Sequence, residues 1–250
     1  MTYNCKSILM VAAASSLSIG SSHAVLTALS TSIPVAGETG DFSDGGSDYF
    51  GVVSGGQIAG TTFSPSQTSP GEGALAGRDH DDGNTKPSLR TATWTLPVPG
   101  AISGPITAIV FRGSIAARDV ATSGTGAWDN PDDFVTFELF LDGVSSGKAD
   151  FRPDVPNGSF NGSLAQDTND DGVGDGTTVT PGSGLAFTID PGAATANTTV
   201  TVVVSASSDS GNEEFWVTGT LEGTADVVPE PSSTLMLGIA GGLLITRRKK

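Results

Sequence analysis

Cysteine is nearly missing from this 250-residue chain: Cys5 stands alone, so no internal disulfide can form and the fold must rely on a packed core, bound ions or both. Histidine is almost as scarce, at His23 and His80, and no H-E-x-x-H sequence occurs, so the zinc-protease constellation lacks its parts. Bases are few. Between Val25 and Val228 seven lysines and arginines face 26 aspartates and glutamates, and no base occurs from Pro153 to Thr246. Such a surface repels nucleic acid phosphates and anionic membranes, which leaves divalent cations and neutral sugars as partners. Repeats are absent too, which argues against a solenoid or propeller.

What is plentiful is glycine, at 34 residues, together with short runs rich in threonine, serine and valine. That composition suits strands joined by many turns. Alternation is clearest in residues 134–141, where Val135, Phe137, Leu139 and Leu141 share a face. Residues 106–116 place Ile109, Phe111 and Ile115 together, with Gly113 marking a bulge or a close contact. Residues 198–206 align Val200, Val202 and Val204, and residues 213–221 align Phe215, Val217 and Leu221. Residues 89–96, 49–53 and 185–189 complete the set. No stretch of 25–226 reads as a long helix. The expected fold class is all-β, an antiparallel β-sandwich of jelly-roll type, with long loops at 64–88, 117–133 and 153–180.

Both ends carry addresses. Lys6, an apolar segment from Ile8 to Ile19, and Ser22-His23-Ala24 form a secretory signal peptide cleaved after Ala24. At the other end, Pro229-Glu230-Pro231 precedes an uncharged run with Leu235, Leu237, Ile239, Leu243 and Ile245, then Arg247-Arg248-Lys249-Lys250. The prolines hold the backbone extended, the run prefers hydrocarbon, and the cations stay on the cytoplasmic side. This order resembles the PEP-CTERM sorting signal. The resemblance covers about the last tenth of the chain. It implies processing by signal peptidase and by the membrane enzyme exosortase near Pro229, Glu230 and Pro231, with Arg247 and Arg248 in the plug. It also implies passage through the inner membrane and display at the cell envelope or outside the cell, alongside exopolysaccharide. The expected organisation is a signal peptide at 1–24, a β-sandwich ectodomain at 25–226, and a sorting signal at 227–250 with a membrane helix over about 232–246.

The sharpest chemical motif is Asp167-Thr168-Asn169-Asp170-Asp171-Gly172-Val173-Gly174-Asp175. Side-chain oxygens at positions 1, 3, 5 and 9, with glycine at 6 for the turn, are what a hard cation asks of a wound loop. Asp167, Asn169, Asp171 and Asp175, with the Val173 carbonyl, are therefore the expected Ca²⁺ ligands. The segment resembles the calcium loops of thrombospondin type 3 repeats and, over its first half, of EF-hands. It departs from the EF-hand at position 12, where Thr178 replaces glutamate, so weak binding at about 10⁻⁴ to 10⁻³ M is expected unless another segment adds a carboxylate. The acidic stretch 78–83 and the segment 128–133 read as turns. Trp128 and Trp216, each beside acids, are the candidate sugar contacts of a lectin-like module. Asp132, Glu138, Glu213 and Glu214 would be the acids of a carboxylate-pair glycosidase. The reading favoured by the residues is a non-catalytic, calcium-assisted surface or matrix protein, with a carbohydrate-binding module as the alternative.

Overall fold

The computed structural model describes residues 25–34, 49–52, 74–78, 80, 89–97, 102–118, 128, 130–154, 162–180, 184–192, 199–208 and 213–227. The expected signal peptide, the sorting motif and the membrane segment lie outside these residues, as do Asp79, Asp81, Asp82 and Asp129. Within Val25–Val227 the described elements are eleven strands. They are β1 (Val25–Ile33), β2 (Tyr49–Val52), β3 (Leu75–Arg78), β4 (Arg90–Thr95), β5 (Ile102–Ala117) and β6 (Phe134–Leu141). After these come β7 (Val144–Pro153), β8 (Leu164–Asp167), β9 (Leu185–Ile189), β10 (Val200–Ser207) and β11 (Phe215–Val227). No helix is present among the described residues, and so none there is long and apolar enough to cross a membrane.

Two antiparallel sheets result. Sheet 1 runs β2-β3-β11-β5-β9, with β1 also paired to β11; sheet 2 runs β4-β10-β6-β7-β8. Because β11 has 13 residues, β3 pairs with its start at Phe215–Val217 and β1 with the remainder. The chain crosses between sheets repeatedly, so that β3 meets β11, β4 meets β10 and β5 meets β9.

Alternation decides which side chains face inward. In β6, Val135, Phe137 and Leu139 are fully buried while Thr136, Glu138 and Phe140 on the other face are half-buried. Their partners in register on β10 are Ala206, Val204 and Val202, equally buried. Ile106, Ile109, Phe111 and Ile115 of β5 join the same core from sheet 1. Two isoleucines three apart can both point inward because the β5–β11 register shifts between Glu222 and Thr224, at Ala108, which takes φ 49°. The irregularity thus lies at Ala108. Gly113 is the close contact: a Cβ there would land on the Phe187 ring.

The hairpin between β6 and β7 turns on Asp142-Gly143, both at positive φ (50° and 79°), as a two-residue loop requires. A register shift after Leu139 leaves Ser146 as an extra residue in β7. The expected loops at 64–88 and 153–180 are corrected in part, since each contains a short strand, β3 and β8. Both strands are four residues long, Leu-Ala-Gly-Arg and Leu-Ala-Gln-Asp, too brief and too small-sided to display alternation.

Candidate metal centre

β7 and β8 pair so that Asp150 stands directly opposite Asp167. Both are buried, at 4% and 8% exposure. Like charges facing across a ladder repel. A third acid, the exposed Asp170, completes a group whose ligand oxygens all lie within 4.8 Å of one another. These three aspartates could hold a metal ion. Each oxygen has about two acceptor positions, so present hydrogen bonds leave room for a cation.

The turn that brings Asp170 to Asp167 is organised by Asp167 itself. Its Oδ1 accepts the N–H groups of Asn169 (3.3 Å) and Asp170 (2.7 Å), and its Oδ2 accepts that of Gly172 (2.9 Å). Asp170 and Gly172 take positive φ (63° and 88°), which aspartate tolerates and glycine permits freely. Asp150 is held from below: its Oδ1 accepts the Thr136 hydroxyl at 2.5 Å and its Oδ2 the Arg152 guanidinium at 3.1 Å. Arg152 in turn lies over the Phe134 ring, 4.6 Å from its centroid. The Lys148 ammonium donates to Asp170, and that bond, with the charges of Asp150 and Asp170, raises the lysine above its ordinary pKa despite opposing burial.

Of the three aspartates among the five ligands expected from the sequence, Asp167 belongs to this group of carboxylates and Asp171 and Asp175 do not. Asn169 and Asp171 engage each other, through Asn169 Nδ2 to Asp171 Oδ2 (3.1 Å) and the Asp171 N–H to Asn169 Oδ1 (3.1 Å). Asp171 also accepts the Val173 N–H at 3.0 Å. Asp175 turns back to Thr168, whose N–H and hydroxyl reach its Oδ1 at 2.9 and 2.8 Å and hold its pKa below the usual carboxylate range. Sequence reasoning missed Asp150 and Asp170. Asp170 was hidden by its even loop position, and Asp150 by lying on a neighbouring strand.

The expectation of sugar contact at Trp128 and Trp216 is corrected. They are 0% and 1% exposed, so neither presents a ring face to solvent. Trp128 packs toward Phe215 (6.5 Å between centroids), and Trp216 forms a small cluster with Ala74, Ala76 and Ala116. The glycosidase acids are dispersed: Glu138 belongs to sheet 2, Glu213 and Glu214 lead into β11 of sheet 1, and Asp132 sits in an exposed turn. The letters Gly143-Val144-Ser145-Ser146-Gly147 match a nucleophile elbow, yet they occupy the hairpin leading into β7, where no strand-to-helix turn exists.

A second polar cluster lies where β3, β5 and β11 come together. Glu214, 1% exposed, has its Oε1 3.4 Å from Arg78 and 3.8 Å from Arg118. Burial pushes its pKa up, and the two guanidiniums pull it down with smaller effect. Since the folded value exceeds the unfolded one, Glu214 stabilises the fold most below the unfolded carboxylate range near pH 4.3 and loses that contribution as pH rises through the folded pKa. The difference in unfolding free energy between wild type and Glu214→Gln is therefore expected to shrink or reverse on moving from pH 4 toward neutrality. Denaturant titrations across that range check it, and a difference independent of pH would refute the assignment.

No family model, curated protein or solved structure matches this chain.

Proposed function

We propose that the chain is an exported protein of PEP-CTERM type, delivered to an exosortase and displayed at the cell surface or in the extracellular matrix as a non-catalytic, calcium-assisted jelly roll associated with exopolysaccharide. The observation that carries the export reading is the fixed C-terminal order: Pro229-Glu230-Pro231, then an uncharged apolar run, then four cations. Lys6, the apolar segment after it and Ser22-His23-Ala24 support the same route from the other end. The strand order favours the jelly-roll form, because β3, β11, β5 and β9 alternate with β4, β10, β6 and β7 in nested antiparallel pairs.

Calcium is favoured over softer metals because the group offers carboxylate oxygen alone, with neither imidazole nor thiolate. Asp150 supplies, from the adjacent strand, the extra carboxylate that the loop lacks at position 12. Direct sugar recognition by tryptophan is not part of the proposal, given the burial of Trp128 and Trp216.

Replacing Pro229, Glu230 and Pro231 together by alanine in an exosortase-bearing host tests the export reading. The variant is expected to remain full-length in the inner membrane, whereas wild type yields a shortened product at the envelope or in the medium. Identical processing of both, or wild type intact in the cytosol, would end it.

A further inference from the structure

We propose that the outer face of sheet 2 is a binding surface for a neutral polysaccharide, with Phe140 as the ring on which a sugar stacks. The proposal deepens the reading of exopolysaccharide association and rests on it for the class of partner. The place of the surface comes from the sheet itself.

Alternation and register draw this face. β4 packs Ala92 and Trp94 against the core, which leaves Thr91, Thr93 and Thr95 exposed on the outside. Residues paired across antiparallel strands point to the same side. Thr91, Ser205 and Thr136 therefore form one row across β4, β10 and β6, and Thr95, Thr201 and Phe140 form another. Side chains in a row stand about 4.8 Å apart, and the Thr95 and Thr201 hydroxyls meet at 3.2 Å. The eleven described strands all belong to the two sheets, so none of them lies over this face.

A hydroxyl both donates and accepts, as the hydroxyls of a sugar do, so such rows can exchange hydrogen bonds with a polyol in more than one register. An aromatic ring complements them, because the C–H side of a sugar ring is apolar. Two phenylalanines of β6 share this side. Phe134 is already capped by the Arg152 guanidinium, 4.6 Å from its centroid, which leaves half-buried Phe140 as the ring for a ligand.

Charge selects the occupant. The chain carries a formal charge of −15, yet on this face Glu138 stands opposite Lys148 and the two cancel. Toward β7 and β8 the face ends at Asp150 and Asp167. A polyanion would meet that acidic border and find Lys148 already bonded to Asp170. A protein partner would need a desolvated apolar centre, whereas Phe134, Phe140 and Val203 are half-buried and interleaved with hydroxyls and charges. A neutral polymer of hydroxyls meets neither obstacle.

Affinity electrophoresis of the protein purified from its producing cell tests this. The probes are that cell's own exopolysaccharide, separated by anion exchange into neutral and acidic fractions. Wild type is expected to be retarded by the neutral fraction and not by the acidic one. Phe140→Ala is expected to weaken binding roughly tenfold, and Phe140→Tyr, which keeps the ring, to retain it. Thr93→Glu sets an unbalanced charge at an exposed position of the face and is expected to weaken binding as much while its melting temperature stays at the wild-type value. Undiminished binding by both Phe140→Ala and Thr93→Glu overturns the face and leaves the association with exopolysaccharide standing. Retardation of wild type by the acidic fraction alone overturns the neutral ligand, and retardation by neither fraction overturns the association as well.

Discussion

Phe137→Ala is expected to be the most damaging single substitution in the core, costing about 3–5 kcal/mol of stability. Phe137 is fully buried on β6 of sheet 2, and its ring meets neighbours from both sheets. Phe187 of β9 and Phe111 of β5 lie 4.5 and 6.0 Å away between centroids, and Phe151 of β7 lies 5.9 Å away in edge-on contact. Removing it deletes a large apolar side chain and leaves a cavity between the sheets that three rigid rings cannot easily fill. Net stability of a domain is about 5–15 kcal/mol, so about a fifth of it or more is at stake. The melting temperature should fall by roughly 6–20 °C. Phe140→Ala, three residues on but half-buried on the outer face, should cost much less. Calorimetry of the two variants checks this, and equal losses would mean that the inward face of β6 is misassigned.

The same residue shows what sequence can disclose. Val135, Phe137 and Leu139 alternate strictly with Thr136, Glu138 and Phe140, so the strand and its buried face were legible from the order of the residues. Residues 185–189 and 200–206 were legible for the same reason. β1 was not: Leu29 and Ile33 are its buried anchors, but only serine and threonine lie between them, at Ser30, Thr31 and Ser32, and these dilute the pattern. The far half of β11 was missed likewise, because Thr220-Leu221-Glu222-Gly223-Thr224 offers only Leu221 as a strong signal. Bulges escape alternation altogether. The Ala108 irregularity brings Ile106 and Ile109 to one face, a relation that a period of two cannot express.

The candidate site divides along the same line. Asp167 was visible because its partners Asn169, Asp170 and Gly172 follow it within five residues, and local Asx-type bonding is written in the local sequence. Asp150 was invisible as a candidate ligand because what joins it to Asp167 is the β7–β8 register. That register depends on where β8 begins, and β8 gives no pattern from which to place it.

Asp150→Asn is accordingly the substitution that separates a strand-completed site from a self-contained loop. Wild type is expected to melt higher in calcium than in chelator; at calcium about 100 times above Kd the gain is about 2.7 kcal/mol, or roughly 5–11 °C. Asparagine keeps the size of Asp150 and can still accept the Thr136 hydroxyl, but it removes a full charge from the group of three. The calcium-dependent part of the melting shift should then be largely lost. Asp175→Asn should retain most of it, since Asp175 is engaged with Thr168 and stands apart from that group. The comparison with and without calcium removes any change in baseline stability from the lost Arg152 pairing. Should the shift survive in Asp150→Asn and vanish in Asp175→Asn, the cation would be held by the linear loop spacing instead. The facing pair Asp150 and Asp167 would then be offset by Arg152, Thr136, the turn amides and the nearby charge of Lys148.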